Sequence, residues 1–274
     1  MPDFFNTDFI TFKIFHLVIF AFLFFAMLIY FKIAKKYHII DDSGKQRFFS
    51  VKVRLIIQFV VVGLIFFYLD VYYIFPWWVL LISSIVCVGI INAYNIMDGI
   101  KGMTGLNSLA ILGSLQYVNQ RMIQFVHPDF IIYAILACIV FLLVGGVGNT
   151  GIAIWIVVLL LKLIIETEDI IWILFLAIYG VDVICTIGHR VYLKQHIFKP
   201  HRLHFYQVWV EKAKCPQLWV SVVYATIQLI ICIVVIYFWK RIPEIMLSLT
   251  LLGLLVALYV LKFQYDLEDV SKIS

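Results

Sequence analysis

The sequence predicts an all-α polytopic membrane protein: a bundle of about nine transmembrane helices with a cytoplasmic-face active-site cleft, one integral membrane domain over residues 1–274. Three observations predict it. Hydrophobic residues make up 64% of the chain and charged residues 14%, against about 45–50% and about 25% in an ordinary soluble domain. Mean hydropathy is +1.05, and a soluble fold that apolar would expose a very large greasy surface. The apolar residues fall in long unbroken runs, whereas a membrane β-barrel shows short alternating strands. Soluble enzymes, disordered chains and fibrous repeats are thereby excluded. Five cysteines with no CxxC pair imply no disulfide or zinc framework.

A helical span needs roughly 20 apolar residues. The stretches 14–34, 53–70, 77–97, 103–118, 129–145, 151–166, 169–189, 217–238 and 243–262 qualify, the fourth and sixth being short enough to tilt or re-enter. The first has an acidic flank in Asp3 and Asp8 and no small-residue cleavage site, so it reads as a retained span. Orientation follows the Lys/Arg bias. Placing the loop after the first span inside puts 16 of the 21 basic residues on the inner side and the N-terminus outside. Trp77, Trp78, Trp172 and Trp239 then fall at outer span ends, where interfacial tryptophans belong.

The polar clusters all land on the inner face. Asn92, Asn95, Asp98, Gly99, Lys101 and Gly102 close the third span. Asn92, Asn95 and Gly99 recur at three- and four-residue steps and share a helix face. Amides and a carboxylate at a membrane exit are costly without partners, which suits either a ligand site or amide glue between helices. A second cluster, Lys199, His201, Arg202, His204, Tyr206 and Gln207, lies in the His/Arg-rich loop 190–216. An arginine between two histidines suits phosphate or pyrophosphate, or a basic loop touching anionic lipid. Asp41 and Asp42 pair in the first inner loop, fit to hold Mg²⁺ or to balance nearby lysines. Gly145, Gly146, Gly148 and Gly151 surround Asn149 and Thr150, as a phosphate cradle or a close turn. Asp182, Thr186 and Arg190 follow at four-residue steps, a polar stripe leading toward the histidine loop.

Together these residues carry a resemblance. The run Gly89-Ile-Ile-Asn92-Ala-Tyr-Asn95-Ile-Met-Asp98-Gly99-Ile-Lys101-Gly102 resembles the NxxNxxDGxDG signature of the bacterial polyprenyl-phosphate N-acetylhexosamine-1-phosphate transferases, which include the phospho-N-acetylmuramoyl-pentapeptide translocase. Tyr179 through Arg190, then Pro200-His201-Arg202-Leu-His204-Phe-Tyr206-Gln207, is similar to that family's penultimate inner loop, and Arg54 to Gln58 also reads as family sequence. The similarity spans roughly residues 51–240. The chain departs from the pattern at Lys101 and Gly146, where the family carries aspartates, and about two of the family's spans before Arg54 have no counterpart.

The resemblance implies transfer of N-acetylhexosamine-1-phosphate, GlcNAc-1-phosphate in the first instance, from a UDP-sugar to undecaprenyl phosphate, with release of UMP. It implies Mg²⁺ as cofactor, held by Asp98 and Asp42. It makes Asp98, Asp41 and Asp42 the catalytic set, and Asn92, Asn95, His201, Arg202, His204 and Asp182 the substrate-binding set. The implied setting is a bacterial inner membrane. Expected partners are UDP-N-acetylhexosamine, undecaprenyl phosphate, the bilayer and a second copy of the chain, with no nucleic acid. The lost aspartates keep a second reading open, a relative that binds or scaffolds without turnover. A transporter needs internal repeats and mid-membrane polar groups, and the sequence has neither.

Overall fold

The computed structural model describes residues 7–36, 51–144, 149–195 and 203–260. Asp41, Asp42, His201, Arg202 and the glycine run 145–148 lie outside them. The described chain is helical throughout: α1 (Thr7–Lys36), α2 (Val51–Tyr68), α3 (Val71–Ile74), α4 (Trp77–Met97), α5 (Met103–Arg121), α6 (Pro128–Val144), α7 (Asn149–Thr167), a 3-10 segment (Ile170–Leu176) running into α8 (Ala177–Tyr192), α9 (Phe205–Glu211), α10 (Gln217–Phe238) and α11 (Glu244–Val260).

Each of the nine stretches is helical over most of its described residues, but they are not equivalent. Among the described residues four segments are long and apolar enough to cross a membrane: Trp77–Met97, Asn149–Thr167, Ile170–Tyr192 and Gln217–Phe238. Shorter apolar helices cover Leu17–Ile29, Val53–Tyr68, Pro128–Val144 and Glu244–Val260. Their outward faces stay apolar, with Leu81, Ile82 and Ile85 on α4 and Leu229, Ile230 and Ile233 on α10 exposed. Such faces suit lipid, and the chain has the architecture of a helical membrane protein.

The fourth stretch is the exception. α5 carries Thr104, Asn107, Ser108, Ser114, Gln116 and Asn119, a set too polar to face hydrocarbon. It packs instead against α10, α6 and α7, and all of these but Gln116 are buried within the protein. A helix sheltered by its neighbours has no need of an apolar surface. That is why this stretch looks short when read for hydrophobicity alone.

The seventh stretch is broken where the 3-10 segment meets α8. A break in a membrane helix is tolerated only where other groups take up the freed backbone bonds. Gln228 of α10 does so. Its Oε1 accepts from the Ile178 N–H (3.1 Å), and its Nε2 donates to the Leu174 carbonyl (3.2 Å).

The aromatic corner around Trp172 also departs from expectation. Trp77 and Trp78 are 76% and 53% exposed, as interfacial residues should be, but Trp172 is fully buried. Its indole donates to Thr167 Oγ1 (2.9 Å) and its ring packs on Trp239 (centroids 5.2 Å apart), which in turn donates to Asp169 (2.7 Å). Position at a span end did not reveal that a second tryptophan would cover the first.

Candidate functional site

At the end of α4 the chain turns through Asp98, Gly99, Ile100, Lys101 and Gly102 into α5. Five elements bear on this turn. Asp98 caps α4, its N–H donating to the Tyr94 carbonyl (3.1 Å). From α5, Thr104 Oγ1 donates to Asp98 Oδ1 (2.7 Å). From the first residue of α7, Asn149 Nδ2 donates to Asp98 Oδ2 (3.2 Å). From α9, the Tyr206 hydroxyl donates to the Ile96 carbonyl (3.0 Å). From α10, Gln217 Oε1 accepts from the Lys101 N–H (3.3 Å) and Ser221 Oγ donates to the Lys101 carbonyl (2.8 Å). A loop held from so many sides is preorganised.

Both glycines of the turn have physical reasons. Gly102 adopts φ 82°, a left-handed conformation that glycine takes without a Cβ penalty. Gly99 serves a close approach: a Cβ there would overlap the Tyr206 hydroxyl. Gly99→Ala is therefore expected to push Tyr206 off Ile96. The loss combines one hydrogen bond, about 1 kcal/mol, with overpacking of about 1–3 kcal/mol, and appears as a lower Tm in detergent. Adding Tyr206→Phe to that variant removes the clashing oxygen and should return part of the loss.

Asp98 is largely buried. Burial raises its carboxyl above the ordinary value, opposed by the hydrogen bonds from Thr104 and Asn149. Burial likewise raises Tyr206, with the Asp182 carboxylate a further cause, so its phenol stays protonated and able to donate.

The two amides expected on one face part company. Asn95 faces α7, its Oδ1 accepting from Thr150 Oγ1 (2.9 Å) and its Nδ2 donating to the Ile91 carbonyl (3.0 Å). Asn92 faces α2, its Nδ2 donating to Gln58 Oε1 (2.8 Å) and to the Val88 carbonyl (2.8 Å). Asn92 is thus an interhelical tie, and only Asn95 belongs to the Asp98 cluster. The two side chains lie near each other on the helix, but the neighbouring helices meet on the boundary between them.

Asp182 and His204, expected at the substrate, are buried against each other, 3% and 2% exposed. His204 Nδ1 sits 3.3 Å from Asp182 Oδ1, and that carboxylate accepts three more hydrogen bonds. These come from the Phe205 N–H (3.0 Å), Thr186 Oγ1 (3.2 Å) and, on Oδ2, the Tyr224 hydroxyl (2.8 Å). The contact bonds an acceptor-only carboxylate if the His204 proton is on Nδ1. Four donors around one buried carboxylate fix the start of α9, and with it the hydroxyl of Tyr206. The stripe leading from Asp182 through Thr186 to Arg190 is buried along its length, as its spacing predicts.

The structure therefore brings Asp98, Asn95, Asn149 and Thr150 together, with Tyr206 linking them to the Asp182–His204 pair. Sequence reasoning missed Thr104, Tyr224, Gln217 and Ser221 as contributors, and named Tyr206 only within the His/Arg-rich cluster. It met Asn149 and Thr150 only as neighbours of glycines. A signal existed for Tyr206, inside the quoted His/Arg-rich motif, and for Thr104, one turn past Asp98. Nothing local distinguishes Gln217 or Ser221 from other helix-end polar residues.

For a hard divalent cation the turn offers one carboxylate, Asp98, with Thr104 Oγ1 on one oxygen and Asn149 Nδ2 on the other; the amide oxygens of Asn95 and Asn149 face Thr150. Among the described residues no group of three or more His, Cys, Asp or Glu converges. Mg²⁺ commonly takes one or two carboxylates, with waters and substrate phosphates completing its shell, so the single carboxylate of Asp98 suits it with phosphate present. Comparison with family models, curated proteins and solved structures found no match.

Proposed function

We infer that the chain is a membrane-embedded sugar-phosphate transferase, moving N-acetylhexosamine-1-phosphate from a UDP-sugar to undecaprenyl phosphate. The single observation that carries this reading is the Asp98 turn. A buried carboxylate at the end of an apolar helix accepts from Thr104 of α5 and Asn149 of α7, and the turn that carries it is held by α9 and α10. Its placement at a span end is where a soluble nucleotide-sugar and a lipid phosphate can meet.

The reaction is a phosphoryl transfer. An oxygen of the lipid phosphate bonds to the sugar-linked phosphorus, the phosphoanhydride bond to the uridylyl phosphate breaks, and UMP leaves with its electron pair. Mg²⁺ on the pyrophosphate would neutralise charge there, with Asp98 as its ligand among the described residues. Asn95 and Thr150 would orient Asp98 and the substrate phosphates. Asp182 and His204 are positioning residues on this reading. They fix the start of α9, which in sequence lies three residues past Arg202. Asp41 and Asp42 remain the further acidic candidates. The lipid chain would run along the apolar outer faces of the helices.

A second reading rests on a specific observation. Both oxygens of Asp98 already accept hydrogen bonds from side chains, and Gly146 and Lys101 stand where the family carries aspartates. A relative that binds nucleotide-sugar or lipid phosphate without turnover fits those facts. Purified chain with radiolabelled UDP-GlcNAc, undecaprenyl phosphate and Mg²⁺ separates the two. The transferase reading expects lipid-linked product and UMP, both lost in Asp98→Asn. Binding without either product favours the second reading.

The reading also places nine spans in a bacterial inner membrane, N-terminus outside, with the Asp98 turn on the cytoplasmic face. Single cysteines at the exposed positions Lys101 and Glu168, in a cysteine-free background, are expected to react with impermeant maleimide from opposite sides. Lys101 should react only when the cytoplasmic face is accessible. Labelling of both from one side would end this topology.

A further inference from the structure

Behind the Asp98 turn, inside the bundle, α5 presents a second polar group that the proposed reaction does not use. Thr104, Asn107 and Ser108 recur at three- and four-residue steps on one face. Opposite them stand Tyr94 of α4 and Tyr179 of α8, their rings edge to face with centroids 5.2 Å apart. All five residues are 0–1% exposed. The Tyr94 hydroxyl neighbours Ser108 and Asn107, and the Tyr179 hydroxyl neighbours Thr104.

Neighbourhood is not bonding here. The Tyr94 hydroxyl, both amide atoms of Asn107, Ser108 Oγ and the Tyr179 hydroxyl have no hydrogen-bond partner among the described residues. Buried polar groups are almost always paired with protein or ordered water. Leaving five polar atoms unpaired would carry a penalty on the scale of a whole domain's stability. Their chemistry is mixed. Two phenols and a serine hydroxyl can each donate or accept, and one amide does both at different atoms. No single anion, cation or apolar group satisfies that set. Water does, since one molecule donates and accepts and typically makes about three hydrogen bonds to buried polar groups.

We propose that Tyr94, Asn107, Ser108 and Tyr179 enclose a buried site for ordered water molecules between α4, α5 and α8. The site borders Thr104, whose hydroxyl reaches Asp98 Oδ1 at 2.7 Å. The bundle side of the Asp98 turn is therefore hydrated, and beside the direct contact of the two tyrosine rings their hydroxyls are joined to α5 through water. Water-bridged contacts adjust by small shifts of the bridging molecules, whereas a dry packed core does not. The inference stands on the packing of these helices and does not depend on the transferase reading.

Radiolytic hydroxyl-radical footprinting of the full chain in nanodiscs tests it, since radicals generated from bound water modify side chains beside that water. Tyr224 is the control, equally buried at 2% and with its hydroxyl bonded to Asp182. The expected result is modification of Tyr94 and Tyr179 several-fold faster than Tyr224. In addition, after a brief mix with ¹⁸O water, the oxygen incorporated at Tyr94 and Tyr179 should still be ¹⁶O, from slowly exchanging molecules. Tyr94 and Tyr179 modified no faster than Tyr224, or with ¹⁸O taken up as at the surface, would overturn the proposal. Ser108→Ala with Asn107→Leu removes the polar wall of α5 and is expected to slow modification at both tyrosines. Unchanged rates in a folded double variant also count against it, and if that variant does not fold, the wild-type comparison decides alone.

Discussion

Asp98→Asn is expected to abolish lipid-linked product while leaving the fold as stable as before, or firmer. The two halves have separate causes. Removing one preorganised charge contact from a transferase costs about 10²–10³ in rate, and loss of a metal ligand costs more. Stability runs the other way, because burial raises the Asp98 carboxyl above its ordinary value. The folded chain then holds that proton more tightly than the unfolded chain. The stability it contributes is full below the ordinary carboxyl pKa and is lost as pH rises through the raised folded value. At neutral pH the ionised carboxylate is a load on the fold, which a neutral asparagine removes. Thr104 keeps an acceptor at position 98, and only the Asn149 amide must find a new one. Thermal unfolding in magnesium-free detergent at pH 7 should give a Tm equal to or above wild type, with any gain shrinking in acid, where Asp98 is protonated too. A variant that loses product and Tm together would mark Asp98 as a structural residue and remove the observation on which the transferase reading stands.

Much of this site was legible because membrane physics is one-sided. Apolar runs of spanning length are nearly unambiguous, so every stretch expected to be helical is helical over most of its described residues. A carboxylate and amides at a span end stand out against them, which is how Asp98 and Asn95 are found from sequence. What the sequence hides is partnership. Asn92 and Asn95 look alike three residues apart, yet one meets Gln58 and the other Thr150. That difference depends on where α2 and α7 pack. Gln228 is one polar residue in an apolar helix by sequence, and in the structure it repairs the broken backbone at Leu174 and Ile178. The low apolarity of α5 was visible, but its cause, shelter by α10, α6 and α7, is tertiary.

Histidines were read for the ligand chemistry of imidazole, and for His204 the structure adds a partner inside the protein, Asp182. In a loop, an imidazole beside an arginine suggests phosphate. Buried beside an aspartate at a helix start, the same ring is a structural donor. The signal for this outcome was Asp182 itself. An aspartate inside a membrane span must find donors, and the nearest titratable donors in sequence are those of the loop that follows. The spacing between them gave no way to see that Tyr224, on a later helix, would complete the set.

The second large effect follows from that set. Asp182→Ala is expected to leave no properly folded protein, whereas Asp182→Asn should fold. Alanine deletes the one acceptor shared by His204, the Phe205 N–H, Thr186 and Tyr224, all inside the protein. Thr186 keeps the Tyr259 hydroxyl at 3.1 Å, but the Phe205 N–H and the Tyr224 hydroxyl lose their acceptor, and each stranded donor costs about 1–3 kcal/mol, a large share of the about 5–15 kcal/mol that holds a typical domain folded. Asparagine avoids this. Its carbonyl can take the Oδ1 place, where three of the four donors point, and its amide then faces the Tyr224 hydroxyl. A phenol can accept as well as donate, so that contact survives with its direction reversed. Size-exclusion recovery and Tm after detergent extraction read the difference. Alanine should yield aggregate or a collapsed Tm, and asparagine a monodisperse peak. Equal behaviour of the two variants would show that the carboxylate does not organise the start of α9. Tyr206 would then owe its place beside Gly99 to packing alone, and the link between the Asp182 pair and the Asp98 turn would fall.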